Sequence, residues 1–191
     1  LDQDLHSKII NGFERISEVM KSLIWEKAKS YGISPIQIQI LIFISQHKQE
    51  LCTVSHLAKE FHLTKPTISD AVRILLKKDL ALKNSATTDS RSYTLELTNS
   101  GKELVKELDL YAQPIRMEME KIPQGKLLEL FSTIYKLIDK LNQSGIITVQ
   151  RNCYSCRFYK KKGNSNYCQL LEKPLLHHEV RLDCPEHEAI S

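Results

Sequence analysis

Four of the chain's five cysteines, Cys153, Cys156, Cys168 and Cys184, fall in its last quarter. The two-residue gap in Cys153-Tyr154-Ser155-Cys156 lets both thiolates point at one ion. Cys168 follows Lys160-Lys161-Lys162-Gly163-Asn164-Ser165-Asn166, a stretch expected to turn the chain back, and Cys184 completes the set. In a reducing compartment such crowding points to a metal or redox site before structural disulfides. Tetrathiolate ligation suits zinc, which is four-coordinate in structural sites. It also suits an iron–sulfur cluster, and Cys184-Pro185 matches the Cys-Pro that ends ferredoxin cluster motifs. His187, three residues after Cys184, offers a competing set in which it replaces Cys168. Four thiolates close the coordination sphere, and His177-His178-Glu179 is not a His-Glu-x-x-His motif, so no hydrolytic zinc and no enzyme is expected. Cys52 reads as a small core thiol unless exposure gives it redox access.

A second set of residues suits phosphate and base edges. If Ile68, Val72, Leu75 and Leu76 face inward on one short helix, then Lys65, Thr67, Ser69, Asp70, Arg73 and Lys77 face out. Lys65, Arg73 and Lys77 can neutralise phosphates, Arg73 can reach a guanine edge, and Thr67 and Ser69 are short enough to sit at bases. Asp70 opposes phosphate contact unless it accepts from cytosine or orients Arg73. Farther on, Arg91 suits a narrow minor groove, with Asp89 either holding it or capping the turn.

Periodicity supplies the elements that would position these groups. A helix is expected over about residues 4–30, with Leu5, Ile9, Phe13, Ile16, Met20, Leu23 and Ile24 forming one stripe. Ser34-Pro35 announces another. Ile36-Gln37-Ile38-Gln39-Ile40 alternates like a strand, but the cap and the helical face of Ile36, Ile40, Phe43, Ile44 and His47 favour a helix. Thr53 and Thr64 cap two short helices joined by a tight turn, a helix-turn-helix candidate. Leu80–Lys83 and Tyr93–Leu97 alternate around a polar tip, predicting a hairpin, hence a winged helix. Thr98 should cap a helix over about 99–121, bent at Pro114, and another is expected over about 124–143.

Asp89-Ser90-Arg91-Ser92-Tyr93-Thr94-Leu95-Glu96-Leu97-Thr98-Asn99-Ser100-Gly101 resembles the wing signature of MarR-family transcriptional regulators. The resemblance extends over about residues 5–143, with Ser92 where many members carry a second Arg. It implies a homodimer joined by its first and last helices, pseudo-palindromic double-stranded DNA as partner, and release by a small-molecule or redox effector. The residues independently predict a dimer, because the stripes on the first helix and on 124–143 exceed what one helix-turn-helix core covers.

The expected fold class is therefore mainly α with a small β wing: a winged helix-turn-helix with dimerisation helices over 1–145 and a metal-bound cysteine-rich module over 146–191. The latter is too short to fold on apolar burial alone. The expected function is sequence-specific DNA binding, with the helix at about 64–78 in the major groove and the wing at about 81–97 toward the minor groove. A protein-interaction module that binds no DNA is the alternative. The formal charge of +4 separates these only weakly, whereas 41% hydrophobic and 26% charged residues exclude a disordered chain. The five-residue apolar run Ile40–Ile44 is far below the roughly 18–20 residues a membrane span needs. With acids in Leu1-Asp2-Gln3-Asp4 where a secretory signal carries bases, a cytoplasmic location is expected.

Overall fold

The computed structural model describes residues 4–84, 93–163 and 165–190. The chain divides into two compact units, one of Leu1–Ala58 and Leu63–Met117, the other of Lys59–His62 and Glu118–Ser191.

In the first unit, helix α1 (Leu5–Tyr31) starts where the Asp4 carboxylate accepts the Ser7 N–H at 2.8 Å and stops at Gly32, whose φ of 59° suits a left-handed cap. Helix α2 (Pro35–Gln46) opens with a reciprocal capping box between Ser34 and Gln37. Its strand-like alternation has a physical explanation: Ile38, Ile40, Leu41, Phe43 and Ile44 are all buried, so this central helix has no single polar stripe. Even Gln37 is buried, its amide donating to the Ala71 carbonyl at 3.3 Å.

Thr53 accepts the His56 N–H and starts α3 (Val54–Glu60), and Thr64 accepts the Thr67 N–H and starts α4 (Lys65–Lys77). Strands β1 (Ala81–Asn84) and β2 (Thr94–Leu97) pair antiparallel with Ala81 opposite Leu97. The backbone of β2 also reaches inward, the Leu95 N–H donating to the Cys52 carbonyl at 2.8 Å. Ile38, Leu41, Leu57, Ile68, Leu75 and Leu95 are fully buried in this unit.

The single bent helix expected over 99–121 is corrected. The chain instead forms α5 (Asn99–Leu108), a 3-10 turn (Asp109–Ala112) and α6 (Gln113–Met119). Pro114 has no N–H for the Leu110 carbonyl and its ring crowds that group, so the turn before it tightens and the Gln113 N–H bonds Leu110 instead. The Tyr31 hydroxyl donates to the Glu107 carboxylate, tying the end of α1 to α5.

In the second unit, α7 (Gln124–Gln143) keeps the predicted bounds and ends before Gly145, at φ 77°. A three-stranded antiparallel sheet follows in the order β3 (Tyr159–Lys162), β4 (Ser165–Cys168) and β5 (Lys173–Leu175). The lysine triplet is thus strand rather than the expected turn; Lys162 pairs with Ser165, leaving a two-residue connection that Gly163 enters at φ 59°. Tyr135, Cys153, Leu175 and Val180 form the buried cluster of this unit. Among the described residues no helix is long and apolar enough to cross a membrane.

Candidate nucleic-acid interface and cysteine centre

Helix α4 separates its two faces cleanly. Ile68, Ala71, Val72 and Leu75 are buried, while Lys65, Thr67, Ser69, Asp70, Arg73 and Lys77 are all exposed. Leu76, expected inside, is only half-buried because it lies at the edge of the apolar stripe. The Thr67 hydroxyl is held by the Thr64 hydroxyl at 2.8 Å, so Thr67 supports the helix start while its face stays open. Asp70 pairs with the Arg73 guanidinium one turn on. Both side chains are largely in water, where such a pair is weak enough for Arg73 to be drawn away by a stronger anion.

The base of the wing is built with less freedom. Thr98 caps α5, accepting the Gly101 N–H at 3.0 Å and donating to the Asp79 carbonyl at 2.7 Å. A Cβ on Gly101 would stand 2.0 Å from the Leu80 carbonyl oxygen, so only glycine permits this approach. This explains why Thr-x-x-Gly follows the wing strand. Asp89 and Arg91, the proposed wing-tip residues, lie outside the described residues.

The second unit brings all four tail cysteines to one cavity of about 320 Å³. Cys153 comes from a 3-10 turn, Cys156 follows it, Cys168 ends β4, and Cys184 follows the Arg151–Asp183 bridge. Phe158, Leu170, Leu171, Leu175 and Val180 add apolar wall. The Arg181 N–H donates to Cys153 Sγ at 3.2 Å, and its guanidinium reaches Cys184 Sγ at 3.8 Å. Burial raises the Cys153 thiol pKa, with the other three cysteines adding to the shift and the Arg181 N–H opposing it. Among the described residues no three His, Cys, Asp or Glu side chains are grouped so as to hold one metal ion. His187, the competing ligand, is absent from the cavity wall and bonds the Ser155 hydroxyl through Nε2 at 3.0 Å. His177 likewise lies away from it, whereas His178 and Glu179 line it.

Two supports of this centre escaped the sequence analysis. Tyr135 on α7 is buried, accepts the Tyr154 N–H at 3.3 Å and meets the Tyr154 ring edge-on at 4.5 Å. Its place one turn after Phe131 was the available signal. Arg151 is 8% exposed and forks onto Asp183 at 2.7 Å and Glu60 at 2.9 Å. Burial disfavours its charge, but the hydrogen bonds to Glu60 and Asp183 outweigh that and hold it firmly protonated. No local pattern marks Arg151, because its partners lie 32 and 91 residues away.

The helix pair and antiparallel wing define a winged helix-turn-helix, and comparisons with known proteins agree. A family model described as MarR family matches residues 31–92. The chain is similar to the S. aureus MepR–DNA complex, at 24% identity and a TM-score of 0.59, covering 73% of this chain and 99% of that one. It is also similar to S. aureus MarR in complex with salicylate and kanamycin, at 22% identity and a TM-score of 0.63, covering 73% and 93%. For a MarR transcriptional regulator from Methanosarcina mazei Go1 the figures are 18%, 0.61, 70% and 96%. The fold is therefore the mainly helical MarR-type winged helix. No curated protein matches the sequence significantly.

Proposed function

We propose that this chain is a sequence-specific, DNA-binding transcriptional regulator of the MarR type. It acts in the cytoplasm as a homodimer on an inverted-repeat operator, by binding and not by catalysis. Residues 1–145 supply DNA binding and dimerisation, with α4 entering the major groove and residues 81–97 directed to the minor groove. The observation that carries this reading is the face of α4 on which Lys65, Thr67, Ser69, Arg73 and Lys77 are all exposed behind a threonine cap. Short hydroxyls near the helix N-terminus with cations farther along are what base-edge and phosphate contacts require. The DNA complex of MepR supports the same use of the fold. The salicylate complex of S. aureus MarR supports release by a small molecule, and the cysteines support a redox effector as the alternative. Residues 146–191 are a metal-holding module, with Cys153, Cys156, Cys168 and Cys184 as its ligands.

Selection from random duplexes followed by titration at several salt concentrations tests the DNA reading. The enriched sequence should be an inverted repeat with half-sites about 34–36 Å apart. Lys77→Ala should reduce the salt slope by about one contact per subunit on every sequence, whereas Arg73→Ala should also relax base preference at one position. If no duplex is enriched and Arg91→Ala binds DNA as poorly as wild type at low salt, the chain is instead a protein-interaction module.

A further inference from the structure

The geometry points to a [4Fe–4S] cluster, rather than a single zinc ion, as the group held by Cys153, Cys156, Cys168 and Cys184. This inference rests on the proposed reading of residues 146–191 as a metal-holding module, and it is independent of DNA binding.

The four ligands come from separate elements. Cys153 lies on a 3-10 turn, Cys156 just after it, Cys168 at the end of β4 and Cys184 just after the Arg151–Asp183 bridge, and all four line the same cavity. A cubane of four irons and four sulfides uses such a set: each iron takes one thiolate, and the ligands approach from different directions around a bulky core.

The cavity of about 320 Å³ is many times the space of one ion, so a lone zinc would leave most of it empty or wet. Phe158, Leu170, Leu171, Leu175 and Val180 make much of its wall apolar, which suits a polynuclear core that must be shielded from water.

A cubane core of charge +2 with four thiolates carries a net charge of −2, and N–H donors to the sulfurs offset it. Arg181 supplies both kinds, a backbone N–H to Cys153 Sγ at 3.2 Å and a guanidinium to Cys184 Sγ at 3.8 Å. The ligand count closes without His187, whose Nε2 is engaged by Ser155.

The test uses the full chain purified without oxygen, and also its apoprotein incubated with equal ferrous and ferric iron plus sulfide. Iron, zinc and acid-labile sulfide are assayed alongside visible absorption and the electron paramagnetic resonance of the reduced protein. The expected result is about four iron and four sulfide per chain, with a brown chromophore bleached by reduction. Cys52→Ser and His187→Ala should keep that content, whereas Cys168→Ser should lose iron several-fold. One zinc per chain without sulfide overturns the inference. So does a stoichiometry of two irons, uptake of neither metal by the wild type, or a Cys168→Ser protein with undiminished iron. No step of the assay uses DNA, so a chain that binds no operator still answers it.

Discussion

Arg151 concentrates more polar interaction than any single-residue pattern foretold. Its guanidinium donates twice to Glu60, at 2.9 and 3.0 Å, and twice to Asp183, at 2.7 and 3.2 Å, while almost fully buried. Removing one member of a buried ionic set costs about 3–5 kcal/mol, and Asp183, nearly half exposed, brings the expectation for Arg151→Ala toward about 2–3 kcal/mol. Arg151→Lys should recover little, because a point ammonium cannot fork onto two carboxylates. Denaturant unfolding followed by tyrosine fluorescence measures both. Cys52 offers a pH-dependent counterpart. Burial, with the Glu50 charge adding to it, pushes its thiol from 9.0 up to about 11. The folded state thus holds the proton more tightly than the unfolded chain, so this stabilisation is complete below pH 9 and disappears as pH rises through about 11. Relative to Cys52→Ala, the wild type should lose about 2–3 kcal/mol of stability over that interval. Alkylation of Cys52 in the folded protein should stay slow at neutral pH, as expected for a core thiol and not for a redox sensor.

At the scale of elements, the caps were legible and the joints between elements were not. Ser34, Thr53, Thr64 and Thr98 each sit before a helix and accept one of its first free N–H groups, so local sequence was enough to start α2 through α5, and Asp4 does the same for α1 in the structure. Gly101 shows what local sequence hides. Its backbone lies under the Leu80 carbonyl, a neighbour brought in by the wing strands. Gly101→Ala should therefore cost about 1–3 kcal/mol or more through overpacking, despite alanine's better helix propensity. A melting temperature lowered by several degrees checks this, and an unchanged value would mean that α5 shifts freely against β1. The β3–β5 sheet was missed for a similar reason. Lys160–Lys162 has no alternating apolar face, and its strand conformation comes from pairing with Ser165–Tyr167.

At the scale of the molecule, α1 is the most conspicuous unfinished surface. Only Ile24 and Ala28 of its 27 residues are buried, and Leu5, Ile9, Phe13 and Ile16 stand between 41% and 68% exposed. Leu128, Leu130 and Leu137 on α7 are exposed too. Apolar faces of this extent are covered in stable proteins, and a second copy is the cover that the proposed operator symmetry requires. Light scattering should give twice the chain mass. Phe13→Asp with Ile16→Asp should shift the population to monomer and weaken operator binding at least tenfold, since each half-site then binds without the other.

The sequence by itself determined where α1 to α5 and α7 start, which face of α4 is apolar, and that four thiols belong to one short segment. These are properties of spacing along a chain of fixed rise and period. Only the tertiary structure decided how those thiols are arranged. Cys153 and Cys184 are brought near by Arg151, Asp183 and the Arg181 N–H, contacts that no local pattern encodes. They line one cavity, whose wall includes Tyr159 and Lys173 of the β-sheet and Leu175 and Val180 of the buried cluster.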